Sequence, residues 1–240
     1  MDSQPRILVL DIETKPAKAY VWRFFKENIS VDQVIEPGGM ICFGAQWMGS
    51  NEVMFFSEWQ HGEVGMAQAA ANLLEEADAV VTFNGDTFDL PKINTSMILA
   101  GIPPRPPITT IDLKKVLFST FGFDSNRLVF IAPLLGVGKK VKHEGFELWT
   151  KVMNGNEAAR KKMERYCKQD VRVTGRLYKK LRPYITNHPA FRSLGSTACP
   201  KCLSKNTVKK GLRHTACYQI QRHKCNGCGG WFQGTRRKVA

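Results

Sequence analysis

Three short stretches of the chain place carboxylates where they could share metal ions. Asp11-Ile12-Glu13 ends an apolar run, Asn84-Gly85-Asp86-Thr87-Phe88-Asp89 lies mid-chain, and Tyr166-Cys167-Lys168-Gln169-Asp170 comes late. Gathered carboxylates repel one another and lose hydration, so a cluster of them calls for divalent cations. With oxygen donors only, and no His or Cys ligand in the motifs, the set of Asp11, Glu13, Asp89 and Asp170 selects Mg²⁺ or Mn²⁺ over Zn²⁺. A second constellation uses sulfur. Cys199-Pro200-Lys201-Cys202 and Cys225-Asn226-Gly227-Cys228 are two C-x₂-C knuckles separated by 22 residues. Four thiolates at such a spacing suit one structural Zn²⁺ in a closed tetrahedral site, which leaves no open position for catalysis. Cys217, His214 and His223 lie between the knuckles as further donors, and the doubled spacing favours the four knuckle cysteines.

The elements that must position these groups follow from pattern. Ile7 to Leu10 is a run of strand formers, and alternation along a strand sends Asp11 and Glu13 to one face at its carboxyl end. A strand pair is predicted at Met40 to Gln46 and Glu52 to Ser57 around the turn Met48-Gly49-Ser50-Asn51. A helix follows at Met66 to Glu76, a buried strand at Ala79 to Phe83, and a helix at Leu90 to Ala100 stopped by Gly101 and Pro103. Asn84-Gly85 supplies the turn that aims Asp89. A stiff Pro-rich loop feeds a strand at Ile108 to Ile111. After Asp112 comes a mixed helical region including Leu128 to Leu135, then the basic loop Gly138 to Lys142. A long helix at Glu157 to Leu181 puts Tyr166 and Asp170, spaced i and i+4, on one face. Strands at the front followed by alternating helices and strands indicate an α/β domain with a mixed sheet.

Charge is distributed unevenly. Residues 1–90 hold 5 Lys/Arg against 14 Asp/Glu, residues 91–190 hold 19 against 7, and residues 191–240 hold 11 against none, giving a net +14. An acidic front followed by a basic second half suits a polyanion brought to bound cations. No apolar run reaches the ~18 residues of a membrane span, and residues 1–10 lack the basic start and long apolar stretch of a signal peptide. These features lead us to expect an intracellular, cytoplasmic protein with no membrane contact, whose cysteines stay reduced and bind metal.

The order Asp-x-Glu, Asn-x-x-x-Phe-Asp, Tyr-x-x-x-Asp, carried by Asp11, Glu13, Asn84, Phe88, Asp89, Tyr166 and Asp170, resembles the DEDDy branch of 3′-to-5′ exonucleases. That branch includes the proofreading domains of family B DNA polymerases. Thr110-Ile111-Asp112-Leu113 and Leu134-Leu135-Gly136-Val137 are similar to secondary segments of the same family, and the resemblance spans residues 7–182. It implies an RNase H-like fold, a mixed sheet flanked by helices, and two-metal-ion hydrolysis of phosphodiesters with the cations ~3.5–4 Å apart. In that reading Asp11, Glu13, Asp89 and Asp170 are catalytic ligands of two Mg²⁺ or Mn²⁺. Tyr166 orients the attacking water rather than acting as a strong base, since its ordinary pKa is ~10. Asn84 bonds near the terminal nucleotide, and Phe88 either stacks on a base or packs beneath the site. Asp86 and Asp112, acids near the site in sequence, are read as structural or as supports behind the ligands. Lys139, Lys140, Lys142 and His143 are candidates for phosphate contacts.

The expected organisation is a nuclease domain at 1–187, a linker at 188–197 with the small polar stretch Ser193-Leu194-Gly195-Ser196-Thr197, and a zinc ribbon at 198–240. The ribbon resembles those of DNA-associated proteins. It offers Arg213, Arg222 and Trp231 for nucleic acid, with Lys209, Lys210, Tyr218, Phe232, Arg236, Arg237 and Lys238 around them. DNA is favoured over RNA as the polymer. No polymerase motif is present, so a proofreading role needs a separate polymerase or replication protein. Alternatives on the same fold are an RNA exonuclease or a structure-specific endonuclease. A third class is a non-catalytic replication accessory protein, which has no need of four mutually repelling acids.

Overall fold

The structure is a computed structural model describing residues 4–193 and 195–239. Met1 to Ser3, Leu194 of the expected linker and Ala240 of the expected ribbon lie outside the described residues. The chain runs β1 (Ile7–Lys15), β2 (Lys18–Ala19), β3 (Val34–Glu36), β4 (Gly39–Trp47), β5 (Met54–Ser57), α1 (Glu58–Glu75), β6 (Ala79–Thr82), α2 (Asp89–Leu99) and β7 (Thr109–Asp112). It continues through α3 (Leu113–Thr120), α4 (Leu128–Leu134), α5 (Phe146–Met153) and α6 (Glu157–Leu181), then β8 (Thr207–His214), β9 (Tyr218–Cys225) and β10 (Trp231–Lys238).

The central sheet has the order β5-β4-β1-β6-β7, with β1 antiparallel to β4 and parallel to β6. This is the mixed α/β sheet flanked by helices that the strand and helix patterns predict. Alternation on β1 sorts its side chains between two cores. Leu8, Leu10 and Ile12 pack with Met66, Ala70 and Leu74 of α1 and Ile93 of α2, while Ile7 and Val9 pack with Val171, Val173 and Leu177 of α6. Asp11 and Glu13 continue the second series, so the register that buries Val9 also turns both carboxylates toward α6. Helix α6 lies close on β4 because Gly44 has no side chain. A Cβ there would stand 2.9 Å from Val171 Cγ2 and 3.2 Å from Cys167 Sγ.

Three local features depart from the sequence expectation. Helix α1 starts at Glu58 rather than Met66, because Gly62 adopts a left-handed φ of 69° and lets a preceding turn join the helix across a kink. The region after Asp112 resolves into α3 and α4, and α5 adds a helix that the sequence reading did not place. Between β1 and β4 the chain forms an arm closed by the β2–β3 pair and by the Tyr20 N–H on the Gln33 carbonyl at 2.9 Å. Its tip is apolar and open, with Trp22 94% exposed. A separate three-stranded sheet, β10-β9-β8, is built from the last fifty residues. No described helix is long and apolar enough to cross a membrane.

Candidate functional site

The predicted carboxylates meet on β1 itself, which runs on to Lys15 instead of ending near Leu10, so Asp11 and Glu13 lie within the strand where it pairs with β4. Asp11, Glu13 and Asp170 each offer an oxygen within 4.8 Å of the others. Asp89 joins them from the start of α2, where its Oδ1 accepts the Ile12 backbone N–H at 3.0 Å. Its placement depends on the turn before it. Asn84 is left-handed, with φ 75°. Gly85 lies so close to Thr82 that a Cβ would fall 2.3 Å from Thr82 Oγ1. Asp112 clamps this turn from below: its carboxylate caps α3 and accepts the backbone N–H of Asn84 at 2.9 Å. Asp86 pairs with Lys115 at 2.7 Å. Both acids therefore serve the scaffold, as their sequence positions suggested.

Tyr166 and Asp170 come from one face of α6. Tyr166 is held edge-on by His143, with ring centres 4.9 Å apart, and by Trp149 at 6.1 Å. The sequence gives no periodic signal for this packing, since it joins a loop, α5 and α6. Lys140 holds a place that sequence could not assign. Its Nζ pairs with Asp170 Oδ2 at 2.7 Å and sits 5.2 Å from the Tyr166 ring centre. Lys139, Lys140, Lys142 and Tyr166 border one cavity of about 570 Å³, tied to the acids through the Lys140–Asp170 pair. Asn84 Oδ1 takes the Lys114 Nζ at 3.1 Å, and Phe88 is 40% exposed rather than packed in the core.

The electrostatics fit cation ligation. Burial, then the charges of Asp89, Glu13 and Asp170, hold the Asp11 carboxyl well above the usual carboxylate range. Burial followed by Asp170 pushes Glu13 up to about 8, and burial pushes Asp89 up to about 7 against the Ile12 hydrogen bond. Asp170 is raised by burial and drawn back by Lys140, and its Oδ1 is buried with no hydrogen-bond partner. An oxygen so placed, among acids that cannot all ionise together, is the donor set a divalent cation satisfies.

A stability consequence follows from these shifts. Without cation the folded chain retains protons that the unfolded chain releases as pH rises from Glu13's ordinary 4.5 toward its folded value of about 8. The unfolded state then binds fewer protons, so stability falls across that window. The thermal midpoint of the metal-free protein is expected to drop between about pH 5 and about pH 8, by roughly 2–4 °C per kcal/mol lost. Mn²⁺ should restore it at the upper end, and a midpoint that rises with pH without metal contradicts this electrostatic picture. Lys140→Met should cost about 3 kcal/mol at the upper end, where Asp170 is left charged and unpaired.

At the other end of the molecule the four knuckle cysteines converge, each Sγ within 4.8 Å of the others. Cys199 and Cys228 lie 3.8 Å apart and Cys202 and Cys225 3.6 Å, far beyond a disulfide bond. A tetrahedral ion with ~2.3 Å sulfur bonds needs sulfur pairs about 3.8 Å apart. The two knuckles share a backbone design. Leu203 N–H bonds the Cys199 carbonyl and Gly229 N–H the Cys225 carbonyl, each at 2.9 Å, with both donors left-handed. Burial would raise the Cys225 thiol, but the backbone N–H of Cys228 and the Cys202 thiol bring it down to about 7. Cys217 is exposed and His223 is stacked on Phe232, so neither joins this group. Arg222 lies over Trp231 at 5.9 Å on one face of the sheet, the face that also takes Arg213 through its pairing with Ile220.

The cysteine knuckles are seated on the turn that follows α6. Lys201 Nζ donates to the Pro183 carbonyl at 2.8 Å, and Gly230 passes close enough that a Cβ would meet Pro183 at 3.3 Å. Within 188–197, His188 is buried and bonds Tyr178 Oη at 2.8 Å through Nε2, while Phe191 N–H reaches the Pro200 carbonyl at 3.1 Å.

Among solved structures the chain is similar to a family B DNA polymerase from the hyperthermophilic archaeon Pyrobaculum calidifontis, with TM-score 0.57 and 18% identity. The similarity covers 75% of this chain and 25% of that one, so the chain spans about a quarter of the polymerase's length. No curated protein matches the sequence. A sequence profile described as RNase_H superfamily matches residues 35–182, which include Asp89, Tyr166 and Asp170 and leave Asp11 and Glu13 just ahead of the matched range. That profile covers well over half of the sequence, and the chain belongs to the RNase_H superfamily.

Proposed function

We propose that the chain is a metal-dependent 3′-to-5′ exonuclease of the DEDDy type that hydrolyses DNA. In this reading residues 1–187 form the nuclease domain, 188–197 the connection and 198–240 a zinc ribbon that assists binding. The observation that carries it is the convergence of Asp11, Glu13 and Asp170, with Asp89 fixed by Ile12 N–H beside them and Tyr166 one helical turn before Asp170.

Asp11, Glu13, Asp89 and Asp170 would hold two Mg²⁺ or Mn²⁺ ions. When bound, these supply an activated water and charge to stabilise the attacking and leaving oxygens of an in-line displacement. The residues of the chain do the rest. Burial and the carboxylates of Glu13 and Asp170 raise the Tyr166 hydroxyl well above its ordinary pKa, so it stays protonated and orients water by hydrogen bonding instead of removing a proton. Lys140 fixes the Asp170 carboxylate in one orientation and keeps a positive charge beside the reacting phosphate. Lys139 and Lys142, on the rim of the same cavity, meet the incoming backbone. Phe88, half-exposed at the turn that presents Asp89, is placed to stack on a terminal base.

End dependence tests this reading. Linear single-stranded DNA should be shortened in the presence of Mg²⁺, while a circle of the same sequence should persist. Cleavage of the circle at a comparable rate would show an endonuclease on this fold.

A further inference from the structure

The three-stranded sheet has two unlike faces. One bears Arg222 over Trp231, both exposed, and exposed Arg236 over partly buried Tyr218. The other faces Ala190, Arg192, Ser196 and Thr197 and forms with them a groove of about 910 Å³. Alternation along β9 brings Gln219, Gln221 and His223 to its floor, each only partly exposed, while the opposite series runs from buried Ile220 to exposed Arg222 and Lys224. The wall is a layered stack. Phe232 lies on His223 with ring centres 5.0 Å apart and planes 14° from parallel, and Arg192 stands 5.3 Å from the Phe232 centre. Gly234 makes the stack possible, because a Cβ there would fall 2.5 Å from His223 Nε2.

The groove's polar groups are presented rather than consumed. Gln221 Nε2 is anchored on the Gly211 carbonyl at 2.9 Å, but Gln219 makes no side-chain hydrogen bond among the described residues. Lys209 and Arg237 line opposite edges and have no ion pair among the described residues. The last fifty residues contain no acid that could provide one. Cations at two edges, amides on the floor and an aromatic stack on the wall match the anionic backbone, base edges and base faces of one nucleic-acid strand. A groove in the 300–1,000 Å³ range fits a nucleotide-sized ligand and not a duplex, whose bases remain stacked away from such amides.

We infer that this groove, and not the open Arg222–Trp231 face, is where the protein holds unpaired single-stranded DNA, with Lys209 and Arg237 on its phosphates and Gln219 on a base edge. The inference rests on the nuclease reading only for the choice of DNA.

The test is binding of a fluorescent twelve-nucleotide oligothymidylate to the full chain carrying Asp11→Asn, which leaves the strand intact. Lys209→Ala with Arg237→Ala should weaken binding at least tenfold at low salt and lower the salt slope by about 1.4, two single-strand phosphate contacts' worth. Gln219→Ala should weaken the base-bearing strand about fivefold, yet leave an abasic strand of equal length and a blunt duplex unchanged. Zinc content should be the same in all variants. Unchanged affinity in the Lys209/Arg237 variant overturns the inference, as does a full loss of binding on Arg222→Ala with Trp231→Ala. Hydrolysis of the p-nitrophenyl ester of thymidine 5′-monophosphate by the wild-type protein reads the nuclease site separately. Hydrolysis without a groove effect removes the groove alone, and a groove effect without hydrolysis removes the nuclease reading alone.

Discussion

Replacement of Asp11 by asparagine is expected to reduce Mg²⁺-dependent phosphodiester hydrolysis by about a thousandfold or more, corresponding to ~4 kcal/mol of lost transition-state stabilisation. The same substitution should raise the thermal midpoint of the metal-free protein above about pH 7, because it removes one member of a mutually repelling set. The two effects have one cause. Asp11 sits on the β1 face that packs on α6, where burial first and then the charges of Asp89, Glu13 and Asp170 raise its pKa. Asparagine keeps the shape and discards the charge, so the fold gains what ligation loses. Mn²⁺ should stabilise the wild type and have little effect on the variant. Differential scanning fluorimetry with and without Mn²⁺, run beside a nucleotide-release assay, reads both halves. A variant that still releases nucleotides at the wild-type rate, or that melts lower than wild type without metal, contradicts the role assigned to Asp11.

Cys225→Ser is expected to take bound zinc from one ion per chain to none and to unfold the C-terminal unit while the nuclease domain remains folded. The reason is the thinness of the core in that unit. Among the described residues from 198 onward the buried apolar side chains are Ala198, Cys199, Ile220 and Cys225, two of them proposed ligands. Structural zinc in such modules contributes about 10–16 kcal/mol to folding, and nothing else in the three-stranded sheet approaches that. Limited proteolysis should cut the variant throughout 198–239 and spare the residues up to Pro183. Cys217→Ser, at an exposed thiol away from the cluster, should change neither zinc content nor proteolysis. Full zinc retention by Cys225→Ser contradicts the four-cysteine assignment.

What could be read from the sequence was whatever depends on local pattern. The apolar run of β1, the i, i+4 pair on α6 and the doubled knuckles are each short and periodic, and each places its ligands without knowledge of the rest. From sequence Asp112 reads only as an acid near the site with a structural or supporting part, and its cap on α3 and its hold on the Asn84 turn come from the structure. What escaped depends on contacts between distant segments. Lys140 meets Asp170 across thirty residues, and its charge alone could not distinguish a carboxylate partner from a phosphate. His143 and Trp149 reach Tyr166 by the same kind of contact. The start of α1 lies eight residues before the predicted Met66, because the turn ahead of the apolar period joins the helix across Gly62 and its left-handed φ. The arm between β1 and β4 has no period at all, and its exposed Trp22 reverses the burial that composition suggests. The two faces of the C-terminal sheet were invisible too. Register bulges between Lys209 and Leu212 and between Gln233 and Arg236 decide which cations enter the groove.

The central claim is that this acidic cluster makes the chain a nuclease that removes nucleotides one at a time from a 3′ end. The most direct measurement is digestion of a 5′-labelled single-stranded oligonucleotide with Mg²⁺, resolved to single nucleotides, for the wild type and for Asp170→Asn. The wild type should produce a ladder that shortens stepwise from the 3′ end, and Asp170→Asn should leave the oligonucleotide at full length. An untouched substrate with the wild type, or the same ladder from both proteins, would contradict it.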